Sequence, residues 1–182
     1  MENSRMDDSA DQSDVAATLA GDADAYRRIV QRYQSSIAQR MRRLTPDLNQ
    51  TEELVQDVFV EAYFSLRGYS RRAPFEYWLN KIATRVGYAY LKKRRQNRDR
   101  IQSTEKFDPI APAPAGALEA AETLDRVMSQ LSPRDRLVLT LLHLEERTVA
   151  ETAQLTGWTR VGVKVQAHRA RARLGKLLEE IQ

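Results

Sequence analysis

Residues 157–173 read GWTRVGVKVQAHRARAR, and residues 160–176 contain no acidic side chain. A helix that needed only solubility would mix signs, with carboxylates one turn from the cations. One-signed charge along a helix instead suits a polyanion, because cations that meet phosphates release condensed counterions. Other chemistries have little to work with. There is no cysteine, which excludes a thiol nucleophile, a thiolate metal site and a disulfide framework. The two histidines, His143 and His168, are 25 positions apart with no carboxylate–histidine cluster near either. Neither a histidine-based catalytic centre nor a structural zinc site is expected, and no cofactor.

The cations need a scaffold that aims them, and the spacing supplies one. If Val149 opens a helix, Ala153 falls where two helices cross closely and only a small side chain fits. Gly157 falls at the turn, where a left-handed backbone costs glycine nothing. Trp158 and Val163 then lock a second helix onto the first. This is a helix-turn-helix, whose second helix enters the major groove with its N-terminal residues on base edges. Arg160, Lys164, Val165 and His168 are expected to face bases, with Arg147, Thr148, Thr159, Arg169 and Arg171 nearer the phosphates. The arginines also fit a merely solvated face or a helix C-terminus favouring cations. Gly162 costs helix stability, about 1 kcal/mol against alanine. Close approach to DNA and a tolerated surface glycine explain it equally.

Apolar periodicity is helical almost throughout. Asp22 or Asp24 can cap a helix carrying Tyr26, Ile29, Val30, Tyr33, Ile37, Met41 and Leu44. Asn49 with Glu52 suits a capping box for the next, with Leu54, Val55, Val58, Phe59, Ala62 and Leu66 on one face. Pro74 can start a third, with Phe75, Trp78, Leu79, Ile82, Ala83 and Val86, running into KKRR at 92–95. Periodicity then dissolves into STEKFDPIAPAPAG. Ser132 and Thr148 offer caps for later helices. The fold class expected is all-α: two small helical domains joined by a flexible Pro-rich linker, the C-terminal one a helix-turn-helix. The boundaries are a disordered acidic tail over 1–13, a helical domain over 14–96, a linker over 97–117 and the helix-turn-helix domain over 118–182. Net charge runs −6 over residues 1–24, +10 over 25–100, −3 over 101–130 and +3 over 131–182. Two basic blocks suggest two modules that each meet a polyanion. The acidic N-terminus is unlike a signal peptide, and no apolar run approaches the roughly 20 residues of a membrane span. A cytoplasmic protein without membrane insertion is expected.

In order, EELVQDVFVEAYFSLRGY, FEYWLNKIATRV and LSPRDRLVLTLLHLEERTVAETAQLTGWTRVGVKVQAHRARARL resemble an extracytoplasmic-function RNA polymerase sigma factor. The resemblance covers about residues 20–95 and 120–178. It implies a transcription initiation factor, not an enzyme, with core RNA polymerase and promoter DNA as partners and, by analogy, an anti-sigma protein. The first domain would then bind the promoter −10 element and the second the −35 element. The helix over 52–66 would dock on the polymerase through Glu53, Gln56, Asp57 and Glu61; Glu61 fits a solvated face equally well. The loop over 67–75 would capture an unstacked base, using Tyr69, Arg71 and Arg72, since an aromatic beside arginines suits stacking and cation–π contact. Lys81, Arg85, Lys92, Lys93, Arg94 and Arg95 would follow the strand and upstream duplex, although a polycationic helix end can also be merely soluble. Phe75 and Trp78 read as core. The chain departs from the family in carrying Arg85 and Ala89 where asparagine and aspartate are usual, and Val165 and Gln166 where serine and arginine are common. Val165 can touch a thymine methyl and Gln166 can pair with adenine. The other functions the residues allow are an autonomous helix-turn-helix regulator and an enzyme acting on nucleic acid; no metal-ligand set supports the enzyme.

Overall fold

A computed structural model describes residues 2–102 and 117–179, with side chains over 9–100 and 123–179. It holds eight α-helices and, among the described residues, no strand: α1 (Glu2–Leu19), α2 (Ala23–Arg42), α3 (Leu48–Ser65), α4 (Phe75–Gln102), α5 (Ala117–Gln130), α6 (Pro133–Leu139), α7 (Val149–Thr156) and α8 (Arg160–Glu179). A 3₁₀ turn (Leu66–Gly68) follows α3, and α6 runs on into a π-helical turn (Thr140–Leu144). The chain divides into two compact units, residues 1–42 with 47–86 and residues 43–46 with 87–182. The division cuts α4 between Val86 and Gly87.

In the first unit α2 supplies Ala25, Ile29, Tyr33, Ile37 and Met41 to the interior, the i, i+4 stripe its sequence predicts. From α3 come Leu54, Val58, Phe59 and Ala62, and from α4 Phe75, Leu79, Ile82 and Ala83. Asp22 starts α2 by accepting the Asp24 and Ala25 amides. The start of α3 differs from the Asn49–Glu52 box the sequence suggests. Asp47 caps it instead, accepting from the Asn49 and Gln50 amides, because Pro46 directs the chain into the helix two residues earlier.

Residues 1–13, expected to be a disordered tail, form most of α1 where they are described. The reason lies in α2. Asp11 and Asp14 are buried, and Asp11 accepts from the Tyr33 hydroxyl and pairs with Arg32. Asp14 takes both Arg28 and Arg32 at 2.8 Å. Asp11 from the expected tail, and Asp14 just beyond it, are the partners of two arginines one turn apart. Burial pulls the Asp14 carboxyl up, but the two guanidiniums outweigh it and hold it below the usual aspartate range.

The second unit packs around Met128, Leu131, Val138, Leu139, Ala153, Val163, Ala167 and Ala170, with Leu142, Val149, Trp158, Leu174 and Leu177 at the edges. Ser132 caps α6 with Pro133 at the first helical position. Of the expected linker, residues 97–102 continue α4 and residue 117 begins α5; residues 103–116 lie outside the described residues.

Candidate nucleic-acid interface

The helix-turn-helix is built as its spacing predicts. Thr148 caps α7 by accepting the Glu151 amide, and Glu151 returns to the Thr148 amide and hydroxyl, a complete capping box. Those bonds from Thr148 hold the Glu151 carboxyl below its ordinary range. Gly157 ends α7 at φ +73°, in the left-handed region. Thr159 then starts α8, its hydroxyl accepting the Gly162 amide at 3.0 Å. This gives Gly162 a third explanation, because a Cβ there would meet that same hydroxyl oxygen at 3.0 Å. Trp158 packs at the core's edge under the Arg134 guanidinium, 4.6 Å from the ring centroid.

Val163, Ala167 and Ala170 are the buried side of α8. The opposite side presents Arg160, Lys164, Val165 and His168, all exposed, with Arg169 and Arg171 also exposed. The structure thus brings the expected base-facing set onto one surface. Thr148 and Thr159 sit exposed at the two helix starts. Arg147 is half-buried, its Nε 3.7 Å from Glu145. Two residues depart from expectation. Gln166, read as a base contact, turns inward and donates to the buried Asp135 carboxylate at 2.5 Å. Val161, which the pattern did not single out, is 71% exposed beside Val165.

Asp135 fixes how α8 sits on α6. It is fully buried and accepts from the Ser132 hydroxyl at 2.7 Å, from Gln166 and from Arg173 at 2.5 Å. Among the described residues, Arg173 is the one α8 cation in an ion pair, so the charge of the outer surface is not spent internally.

In the first unit the 69–74 loop presents Arg71 and Arg72 to solvent, but not the aromatic expected beside them. Tyr69 is 8% exposed, packs edge-to-face with Phe75 and tilted against Trp78 with centroids 5.4 Å away, and donates its hydroxyl to the Ala73 carbonyl. Its ring closes the loop rather than offering a face, because Phe75 at the head of α4 gives it an apolar partner. Phe75 is buried and Trp78 half-buried, as expected. Arg71 holds φ +56°, an uncommon conformation for a non-glycine residue. On α4, Lys81 lies over the Tyr77 ring. Arg85 pairs with Glu61, so one residue expected at DNA and one expected at the polymerase neutralise each other. The Arg85 side chain stays 62% exposed and can release its partner at little cost.

In the second unit Lys92 and Lys93 are exposed, whereas Arg94 and Arg95 are engaged. Arg94 grips Asp125 through both terminal nitrogens, and Arg95 bonds Asp99 and the Gln130 carbonyl. Asp125 also takes the buried Arg136. Burial raises its carboxyl, and the two guanidiniums more than offset that, leaving it below the usual aspartate range.

Helix α3 carries a second exposed surface. Glu53, Gln56 and Asp57 are exposed, and Val60 and Phe64 extend the same face at i+7 and i+11 from Glu53. Val60 is 55% and Phe64 79% exposed, an apolar strip beside carboxylates that the sequence reading missed. The signal was there: both break the stripe that buries Leu54, Val58 and Ala62. Among the described residues no group of three or more His, Cys, Asp or Glu side chains is placed to hold a metal ion, and no helix is long and apolar enough to cross a membrane.

Comparison with known proteins finds a separate family match in each half of the chain. Residues 29–97 match sigma-70 region 2, and residues 121–174 match sigma-70 region 4. The ECF RNA polymerase sigma factor SigW of Bacillus subtilis is 25% identical over 173 residues, covering 88% of this chain and 92% of SigW. RNA polymerase sigma factor CnrH of Cupriavidus metallidurans is 26% identical, covering 93% and 95%. The structure of CnrH in complex with the cytosolic domain of CnrY shares the fold at a TM-score of 0.63, covering 95% of this chain and 99% of that one. The sigma factor RpoE of Bartonella quintana, in complex with the anti-sigma factor NepR, does so at 0.58, covering 85% and 96%.

Proposed function

This chain belongs to the extracytoplasmic-function family of RNA polymerase sigma factors, and we propose that it binds core RNA polymerase and directs it to −10 and −35 promoter elements. The observation that supports this best is the pairing, on one chain, of two exposed surfaces of opposite chemistry. The outer side of α8 is cationic and free of carboxylates over residues 160–176, suited to the major groove. The outer side of α3 sets Val60 and Phe64 beside Glu53, Gln56 and Asp57, the composition of a protein-docking helix face. A DNA-binding regulator needs only the first surface.

In this reading the helix-turn-helix, through Arg160, Lys164, Val165 and His168, meets the −35 element. The loop cations Arg71 and Arg72, with Lys81, Arg85, Lys92 and Lys93, meet the −10 element and the duplex upstream. Arg85 trades Glu61 for phosphate. Arg94 and Arg95 would first have to leave Asp125 and the Gln130 carbonyl, so their share of DNA binding is smaller than that of the exposed lysines. RpoE and CnrH were each solved with a protein partner, and an anti-sigma protein that covers these surfaces is the regulator this chain would take.

Gel filtration with bacterial core RNA polymerase tests the reading. The wild type is expected to co-elute, and Asp57→Arg or Phe64→Arg to abolish co-elution while leaving the helical circular dichroism unchanged. A wild-type chain that elutes apart from polymerase yet shifts naked promoter duplex at nanomolar concentration would show an autonomous regulator instead.

A further inference from the structure

Three valines alternate along the first turns of α8, at 161, 163 and 165. Val163 is fully buried in the helix-turn-helix core, but Val161 is 71% and Val165 44% exposed. An α-helix turns 100° per residue, so 161 and 165 stand one above the other on the outer side while 163 points inward. Two β-branched apolar residues, one turn apart, leave 71% and 44% of their surface in solvent and add little to the core of their own unit. Their neighbours on that side are Arg160, Lys164 and His168, each exposed, on a helix segment without a carboxylate over 160–176. A protein partner for this strip would need a strongly acidic surface with an apolar stripe down its middle. The major groove of DNA has that composition already. It is walled by phosphates, and its floor is polar except where a thymine presents its C5-methyl group.

We infer that Val161 and Val165 are specificity-determining residues that read thymine methyl groups in the upstream promoter element, an inference that rests on the DNA-binding role proposed above for α8. Arg169 and Arg171 hold the helix against the flanking phosphates, and the valine pair makes the sequence-dependent apolar contact beside Arg160 and Lys164. Four residues of helix rise about 6 Å, roughly two base-pair steps at 3.4 Å. The two valines therefore favour thymines within two or three adjacent base pairs, on either strand. Gln166, held by Asp135, takes no part in this contact. The selectivity comes from an apolar pair in place of a hydrogen-bonding glutamine.

The test uses the full chain assembled with bacterial core RNA polymerase, presented with a duplex library randomised over the upstream segment. Each thymine of the recovered upstream element is then replaced by deoxyuridine, which removes the methyl group and nothing else. One or two adjacent replacements are expected to weaken binding about fourfold each, the effect of exposing one buried methyl. In Val161→Ala and Val165→Ala, both solvent-side changes that leave folding intact, the corresponding uridine penalty disappears. A recovered element without thymine, or one in which uridine binds as well as thymine, overturns the methyl reading while leaving the sigma-factor role standing. Failure to recover any specific duplex overturns that role and this inference with it.

Discussion

Removing the Asp135 carboxylate tests whether the recognition helix is held from beneath by a buried anion. Asp135 is fully buried and accepts three side-chain hydrogen bonds, from Ser132, Gln166 and Arg173. Hydrogen bonds to a charged group are worth roughly 1.5–3 kcal/mol each. The Arg173 side chain is 56% exposed, so its share is discounted to about 1 kcal/mol or less. The gross loss in Asp135→Ala is then about 4–7 kcal/mol. Against it stands relief from keeping a carboxylate out of water, several kcal/mol. A net destabilisation of about 2–3 kcal/mol remains, which in a unit of this size lowers Tm by about 10–20 °C. Trp158 belongs to the same unit and Trp78 to the other, so in a Trp78→Phe background the fluorescence of Trp158 follows this unit alone. Urea and thermal melts of that variant, with and without Asp135→Ala, give the number. Arg173→Ala is expected to lower stability by about 1 kcal/mol or less, because Gln166 and Ser132 still satisfy the anion. An Asp135→Ala protein melting within 2 °C of its parent would refute the reasoning. So would an Arg173→Ala protein as damaged as Asp135→Ala, since the ion pair and not the buried bonds would then carry the effect.

Two further outcomes are expected. The carboxyls of Asp14 and Asp125 are held below the usual aspartate range, so the stability they confer is complete above the unfolded value of about 3.9 and is lost as pH falls through the folded one. Melting temperature should therefore be insensitive to these groups from pH 7 to 5 and fall below about pH 4, with Asp14→Asn flattening part of that acid limb; an identical acid slope in variant and parent would refute the assignment. Thr152 is fully buried with its hydroxyl unbonded, so Thr152→Val, the same shape without the hydroxyl, should stabilise the second unit by about 1 kcal/mol. A fall in its melting temperature would mean that the hydroxyl is satisfied after all.

What the sequence determines by itself is what neighbours along the chain decide. The Ser132 and Thr148 caps, the left-handed glycine at 157 and the small residue at 153 act within a few residues, and each stands where its spacing predicts. The all-helical class and the acid-free run over 160–176 are equally local properties. The tertiary structure decides whom a residue meets, and which side it faces where the helical period alone does not say. Of the three valines two apart, the spacing places 163 inward and 165 outward, and the fold adds that 161 stands 71% exposed beside 165. Tyr69 reads as an open ring until Phe75 and Trp78 close over it. Gln166 is claimed by Asp135 from 31 positions away, and Arg85 by Glu61 from 24. Asp11 looks like solvating tail because its partners, Arg32 and Tyr33, lie on the next helix. A carboxylate and a guanidinium carry no mark of their partner in the sequence. Such pairs form only where the fold removes both from water and leaves each the other's best ligand.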